Sequence, residues 1–174
     1  IGSVLVLFLI ARRLFSNEAA LLSAALLSAS VSHVFISRVG MQESYVIFFL
    51  LASTFFFLKA LEEERFFIHT GIAVGSALLT KYTAAVLFPL FGLHLLFSRP
   101  RLFLNKKLWL GILFALIIFG PVVVYNLELY RTAGHFDFQI STIFGGRPEA
   151  WRIAPGKDIG TFGERVRQFV PNLI

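Results

Sequence analysis

"SRVGMQESY", residues 37–45, closes one apolar run and opens another. An arginine, a glutamine and a glutamate stand here between segments 19–36 and 45–58, neither of which holds an Asp, Glu, Lys or Arg. If the stretch is the wet turn between two membrane helices, the chain is a helical bundle in a bilayer. Composition favours that reading. Of 174 residues 57% are hydrophobic and 15% charged, with 21 phenylalanines and a mean hydropathy of +0.78. A soluble domain of this size needs more charge to cover its surface. Long apolar stretches parted by short charged clusters fit helices that cross a membrane.

Working outward, six hydrophobic segments appear: 1–11, 19–36, 45–58, 66–79, 84–97 and 108–125. Several fall below the ~20 residues a perpendicular span requires, so their helices should extend into flanking polar residues or stop short of full depth. The first looks truncated, and with no opening methionine the chain reads as a fragment of a longer membrane protein. Placing Arg12 and Arg13 in the cytoplasm puts Lys59, Arg65, Arg99, Arg101, Lys106 and Lys107 there too. Only Arg38 and Lys81 then lie in the outer turns, which is the positive-inside asymmetry. The fold class expected is all-α: a polytopic transmembrane bundle over 1–126, then an external loop region over 127–174.

Ala20, Ala24, Ser28 and Ser32 form a small-residue ladder, and Gly71 and Gly75 a GxxxG pair; both suit close helix packing. Gly120-Pro121 should kink the sixth segment. The tail carries six basic and five acidic residues and is rich in Gly and Pro. It reads as a loop ending in an interfacial helix over 162–170, with Trp151 as a headgroup anchor, or as the lead-in to another span.

The net charge of +6 does not signal nucleic acid, because the basic residues fall between apolar runs instead of gathering on one face. There is no cysteine, which excludes disulfides and thiolate metal sites. No phosphate-loop motif and no Ser-His-Asp arrangement can be argued.

Ionisable residues near membrane depth are costly and need a reason. For Arg38 and Glu43 one reading is structural, with Arg38 reaching the interface and Glu43 capping the third segment. The other is functional: Arg38 binds an anionic substrate group while Glu43 accepts a proton or holds Mg2+ or Mn2+. His33, just upstream, joins them or is simply hydrogen-bonded. Lys81, in "LLTKYTAAVLFP", either marks an outer turn or offers a point charge to a phosphate, with hydroxyls from Thr80, Tyr82 and Thr83 nearby.

The succession "LLSAALLSASVSHVFISRVGMQESYVIFFLLASTFFFLKAL" (21–61), "GIAVGSALLTKYTAAVLFPLFGLHLL" (71–96) and "GPVVVYNLELYRTAGHF" (120–136) resembles the polytopic glycosyltransferases of the GT-C superfamily. The likeness is strongest to the branch of protein mannosyltransferases and lipid A aminoarabinose transferases, over roughly 1–136. It implies an enzyme that moves a sugar from a dolichyl- or undecaprenyl-phosphate carrier to a lipid, glycan or protein acceptor. It implies a multi-pass protein of a bacterial or archaeal plasma membrane, acting at the outer face of the cell envelope. In such families one acidic residue lies in the first outer loop, which would precede Ile1, so this piece alone should be inactive. A second acidic position resembles Glu43, although many relatives carry Asp there. Lys81 matches the lysine of the "TK" turn near the carrier phosphate, and Tyr125-Asn126 the polar end of the last helix. Arg38, His33, Lys81, Tyr82 and Asn126 are then substrate-binding candidates and Glu43 the catalytic one. The rival readings are a transporter, which predicts mid-membrane charges and inverted repeats, and a non-catalytic scaffold.

Overall fold

A computed structural model describes residues 1–137 together with 140 and 141. Among these, all regular structure is helical, in the order α1 (Gly2–Leu14), α2 (Asn17–Ala29), α3 (Val31–Val39), α4 (Gln42–Ala60), α5 (Phe66–Thr80), α6 (Leu87–Ser98) and α7 (Lys106–Ala133). Two 3-10 turns, Tyr82–Val86 and Pro100–Leu104, lead into α6 and α7. The chain divides into a unit Ile1–Tyr125 and a unit Asn126–Ile174.

All six apolar segments are helical, but fewer have the length of a span. By length and hydropathy α4 (19 residues) and α7 (28 residues) qualify. A third qualifies if α2 and α3, bent by 58° at their junction, count as one broken span. At ~1.5 Å per residue α4 is about 28 Å long, close to the ~30 Å hydrocarbon core of a bilayer.

Local chemistry explains the breaks. Ser30 is in an extended conformation, and its hydroxyl accepts from the His33 N–H at 3.4 Å, so it ends α2 and caps α3. Gly40 adopts the left-handed conformation at φ 71°, which stops α3, and α4 restarts two residues later. "SRVGMQESY" is thus mostly helix with a turn at Gly40-Met41. Hydroxyls inside the apolar helices bond back to the preceding turn: Ser53 to Phe49 O at 2.6 Å, Thr54 to Leu50 O at 2.9 Å, Thr70 to Phe66 O at 2.9 Å. Each is thereby satisfied without water.

Packing within Ile1–Tyr125 uses the glycine pair and part of the small-residue ladder, whose Ser28 and Ser32 are exposed and divided by the bend at Ser30. Ala20 is fully buried on α2, which lies along α1. A Cβ on Gly71 would sit 1.9 Å from the Gly111 carbonyl oxygen, and one on Gly75 2.9 Å from the Ala115 Cα. The GxxxG face of α5 therefore presses directly on the α7 backbone. Phe57 stacks on Phe91 at 4.1 Å between ring centres, joining α4 to α6. On α7 the outward apolar residues, among them Leu113, Leu116 and Ile117, stay exposed, as lipid-facing residues do.

One boundary differs from expectation. Residues 127–133, read as the start of a loop, are the last two turns of α7, and Pro121 lies inside that helix without ending it. The stop comes at Gly134, with φ 73°, whose N–H bonds Tyr130 O at 3.0 Å. The expected interfacial helix over 162–170 and Trp151 lie outside the described residues.

Candidate active site

The connection 61–65 reverses the chain, so the first turn of α4 meets the end of α5. Glu43 stands in that first turn and Lys81 directly follows α5, in extended backbone at φ −160°, ψ 133°. Lys81 Nζ donates to Glu43 Oε1 at 2.8 Å, and the side chains are 25% and 36% exposed. The pair is 38 residues apart in sequence. The cap position of α4 is Met41, which makes no side-chain cap bond, and Glu43 serves the helix N-terminus from within the first turn. Its carboxylate takes Lys81 as its partner, not Arg38.

Arg38 and His33 sit on α3, one helix earlier. They line an open groove of about 520 Å³ whose other walls are α1 and α2, with Val4, Leu5 and Phe8 as its apolar side and Ser28 and Ser37 beside the charged end. Arg38 is exposed and meets no carboxylate among the described residues. His33 is 7% exposed, and its Nδ1 is buried with no hydrogen-bond partner among the described residues. Buried polar atoms left without a partner are uncommon, which sets His33 apart from the other histidines among the described residues.

Tyr82 opens the 3-10 turn immediately after Lys81, and its ring meets Phe119 edge-on at 6.1 Å. Asn126 is 4% exposed and closes the end of α7 within its own unit. Its Nδ2 donates to Asp137 Oδ2 at 3.0 Å, and its Oδ1 accepts the Asp137 N–H at 2.9 Å. Asp137 Oδ1 in turn accepts the Ile140 N–H at 2.9 Å. Asp137 was not foreseen; nothing in "GHFDF" marks it beyond its charge.

The opposite end of α4 has its own charges. Arg13 of α1 pairs with Glu62, and Arg65 with Glu63 at 2.7 Å. Lys59 Nζ lies over the Phe66 ring at 4.6 Å from its centre. Glu62, Glu63 and Arg65 are each more than half exposed, so the carboxylates here are largely solvated, while the Arg13 side chain is 25% exposed.

A divalent cation fits the described donors poorly. Hard cations want several oxygens. No group of three His, Cys, Asp or Glu side chains that could hold one is assembled among the described residues, and Glu43 is engaged by an ammonium. What the Glu43–Lys81 arrangement offers is a carboxylate and a cation side by side, fit for moving a proton next to a bound anion.

Compared with known proteins, residues 1–125 match the family model for dolichyl-phosphate-mannose-protein mannosyltransferase. No curated protein and no solved structure matches the chain.

Proposed function

The chain belongs to the dolichyl-phosphate-mannose-protein mannosyltransferase family, a family of membrane glycosyltransferases, and from that premise we propose that it transfers a sugar from a polyprenyl-phosphate carrier. The acceptor is a hydroxyl of a lipid, glycan or protein, and the reaction takes place at the outer face of a bacterial or archaeal plasma membrane. The observation that carries this reading is the 2.8 Å contact between Lys81 and Glu43. It brings a cation suited to a phosphate together with the carboxylate suited to a base, from two helices that the sequence separates.

The chemistry follows from those two groups. The acceptor oxygen attacks the anomeric carbon while the bond from that carbon to the phosphate oxygen breaks. Charge develops on the leaving phosphate, where Lys81 stabilises it; the proton lost by the acceptor goes to Glu43. In the ligand-free pairing each side chain neutralises the other. An arriving phosphate competes for Lys81 and leaves the carboxylate free to take its proton. Arg38, with His33 behind it, provides a second cationic end for the donor, and the α1 wall of the groove provides apolar surface for its chain. Tyr82 adds a hydroxyl next to Lys81, and Asn126 orders the end of α7. A metal at Glu43 would need oxygen ligands from outside the described residues.

The test is sugar transfer from a labelled polyprenyl-phosphate donor in proteoliposomes, comparing the wild-type full-length protein with Glu43→Gln and Lys81→Ala after a folding check. Loss of turnover in folded Glu43→Gln, with weakened donor binding in Lys81→Ala, supports the assignment. Wild-type rates in both variants would overturn it. A wild-type protein inert toward a broad donor panel would bring the transporter or scaffold readings forward. The bend at Ser30 is the one feature that favours the transporter, since broken helices line transport sites.

A further inference from the structure

The strand of chain joining α6 to α7, "FSRPRLFLNKKLWL" (97–110), holds Arg99, Arg101, Lys106 and Lys107 and no acidic residue. All four basic side chains are exposed. Arg99 makes a single 3.4 Å bond to Leu61 O, and no carboxylate pairs with Arg101, Lys106 or Lys107 among the described residues. This contrasts with Arg13 and Arg65 at the same end of α4, which both have glutamate partners.

The connection is also held in a fixed orientation. Leu102 and Phe103, in the middle of the 3-10 turn, pack on the core of Phe57, Ala60, Phe67 and Leu95. The Trp109 indole N–H donates to Phe103 O at 2.7 Å, and Asn105 Oδ1 accepts the Lys107 N–H at 2.8 Å. With its inner side pinned, the turn presents Arg101 and Leu104 outward, Leu104 at 87% exposure, with Phe97 and the Trp109 ring exposed to either side. The result is a rigid rim that alternates unpaired cations with exposed apolar and aromatic groups.

We propose that this rim is a docking surface for anionic phospholipids of the adjoining leaflet. Their phosphate headgroups meet Arg99, Arg101, Lys106 and Lys107, and the Leu104 and Trp109 side chains sit among the first acyl carbons. Charge complementarity selects this occupant: juxtamembrane clusters of four or more Lys and Arg attract acidic lipid, and tryptophan and leucine settle at the headgroup boundary. A protein partner of acidic character would satisfy the cations but not the apolar edge. The proposal does not depend on the transferase reading, because neither Glu43 nor Lys81 takes part.

Trp109 reports on its own surroundings once the other tryptophan, Trp151, is changed to Phe. The chain with Trp151→Phe is placed in phosphatidylcholine nanodiscs that contain an equal minor fraction of brominated phosphatidylglycerol or of brominated phosphatidylcholine. Trp109 should be quenched several-fold more by the brominated anionic lipid. The excess should fall as NaCl rises and vanish in Arg101→Gln/Lys106→Gln/Lys107→Gln, yet persist in the charge-keeping Arg101→Lys/Lys106→Arg/Lys107→Arg. Removing three charges should lower the preference for anionic lipid on the order of a hundredfold, at about fivefold per charge near a surface. Equal quenching by the two lipids overturns the proposal, as does an excess that survives high salt or the triple Gln variant. Folding is checked by comparing quenching with brominated phosphatidylcholine, which should be unchanged in all variants.

Discussion

The two ends of α4 carry similar side chains and behave differently. At the Lys59 end, Glu62 and Glu63 are more than half exposed where they pair with Arg13 and Arg65. At the Glu43 end there are fewer charges, yet Glu43 and Lys81 are half-buried against each other, and His33 keeps a buried nitrogen without a partner. Charge number is therefore a guide to which way the chain is threaded. What separates the two ends is the carboxylate, 36% exposed at Glu43 against 70% at Glu62. A solvated pair costs little to lose and gains little when formed, whereas a half-buried one is worth keeping only if it has work to do.

The largest expected effect tests that distinction directly. Glu43→Gln keeps the size and a hydrogen-bond acceptor for Lys81 but cannot take a proton. Turnover in the full-length protein should fall by about 10² to 10⁴-fold, the range for a lost general base, with little change in donor affinity. Retained turnover would make the two ends equivalent. Lys81→Ala should act differently, weakening donor binding roughly ten- to a hundredfold, as expected for losing a charge-assisted contact to phosphate. The charge-swapped Glu43→Lys/Lys81→Glu protein sharpens the point: it restores the ion pair and folding but not transfer. If the swap regained activity, the pair would be structural.

Between the ends, the α5–α7 seam keeps the end of α5, and so Lys81, in place. Gly71→Ala puts a methyl group where the Gly111 carbonyl oxygen already lies 1.9 Å from the added carbon, so backbone must move. A loss of about 1–3 kcal/mol is expected, the usual cost of overpacking, visible as a lower Tm in detergent. Gly92→Ala on α6, where an added Cβ meets nothing within 4 Å, is the control and should change Tm far less.

Much of this was legible beforehand, and the gaps have physical causes. Apolar runs gave the helices, because in lipid the backbone must satisfy itself and a helix does so locally. Gly71 and Gly75 announced a close contact, though not that Gly111 and Ala115 would receive it. Which helices neighbour one another is a tertiary matter that residue spacing does not encode. For the same reason Arg38, Glu43, Lys81 and Asn126 were expected to converge on the outer face, but Lys81 was not singled out as the partner of Glu43. The bend at Ser30 was missed because neither proline nor glycine marks it. A serine that caps the next helix does the work instead, and "SASVSH" offers several serines of equal standing. The reach of α7 to Ala133 was missed because Asn126 and Glu128 looked like a loop's beginning, although Leu127, Leu129 and Tyr130 continue an apolar pattern around them.

The smallest effect belongs to the other end of α4. Glu62→Gln removes the partner of Arg13 at a position 70% exposed to solvent. The Gln amide oxygen remains as an acceptor for the Arg13 guanidinium and the rest of the side chain stays in water, so stability should change by about 1 kcal/mol. Sugar transfer should stay at the wild-type rate. Threading should also be unaffected, because orientation follows the Lys and Arg count and acidic residues contribute little to it. Protease accessibility of a tag in the 61–65 connection, from each side of a sealed vesicle, reads that orientation. A Glu62→Gln protein that folded normally but lost transfer would mean that the Lys59 end takes part in catalysis, and the contrast between the two ends of α4 would fail.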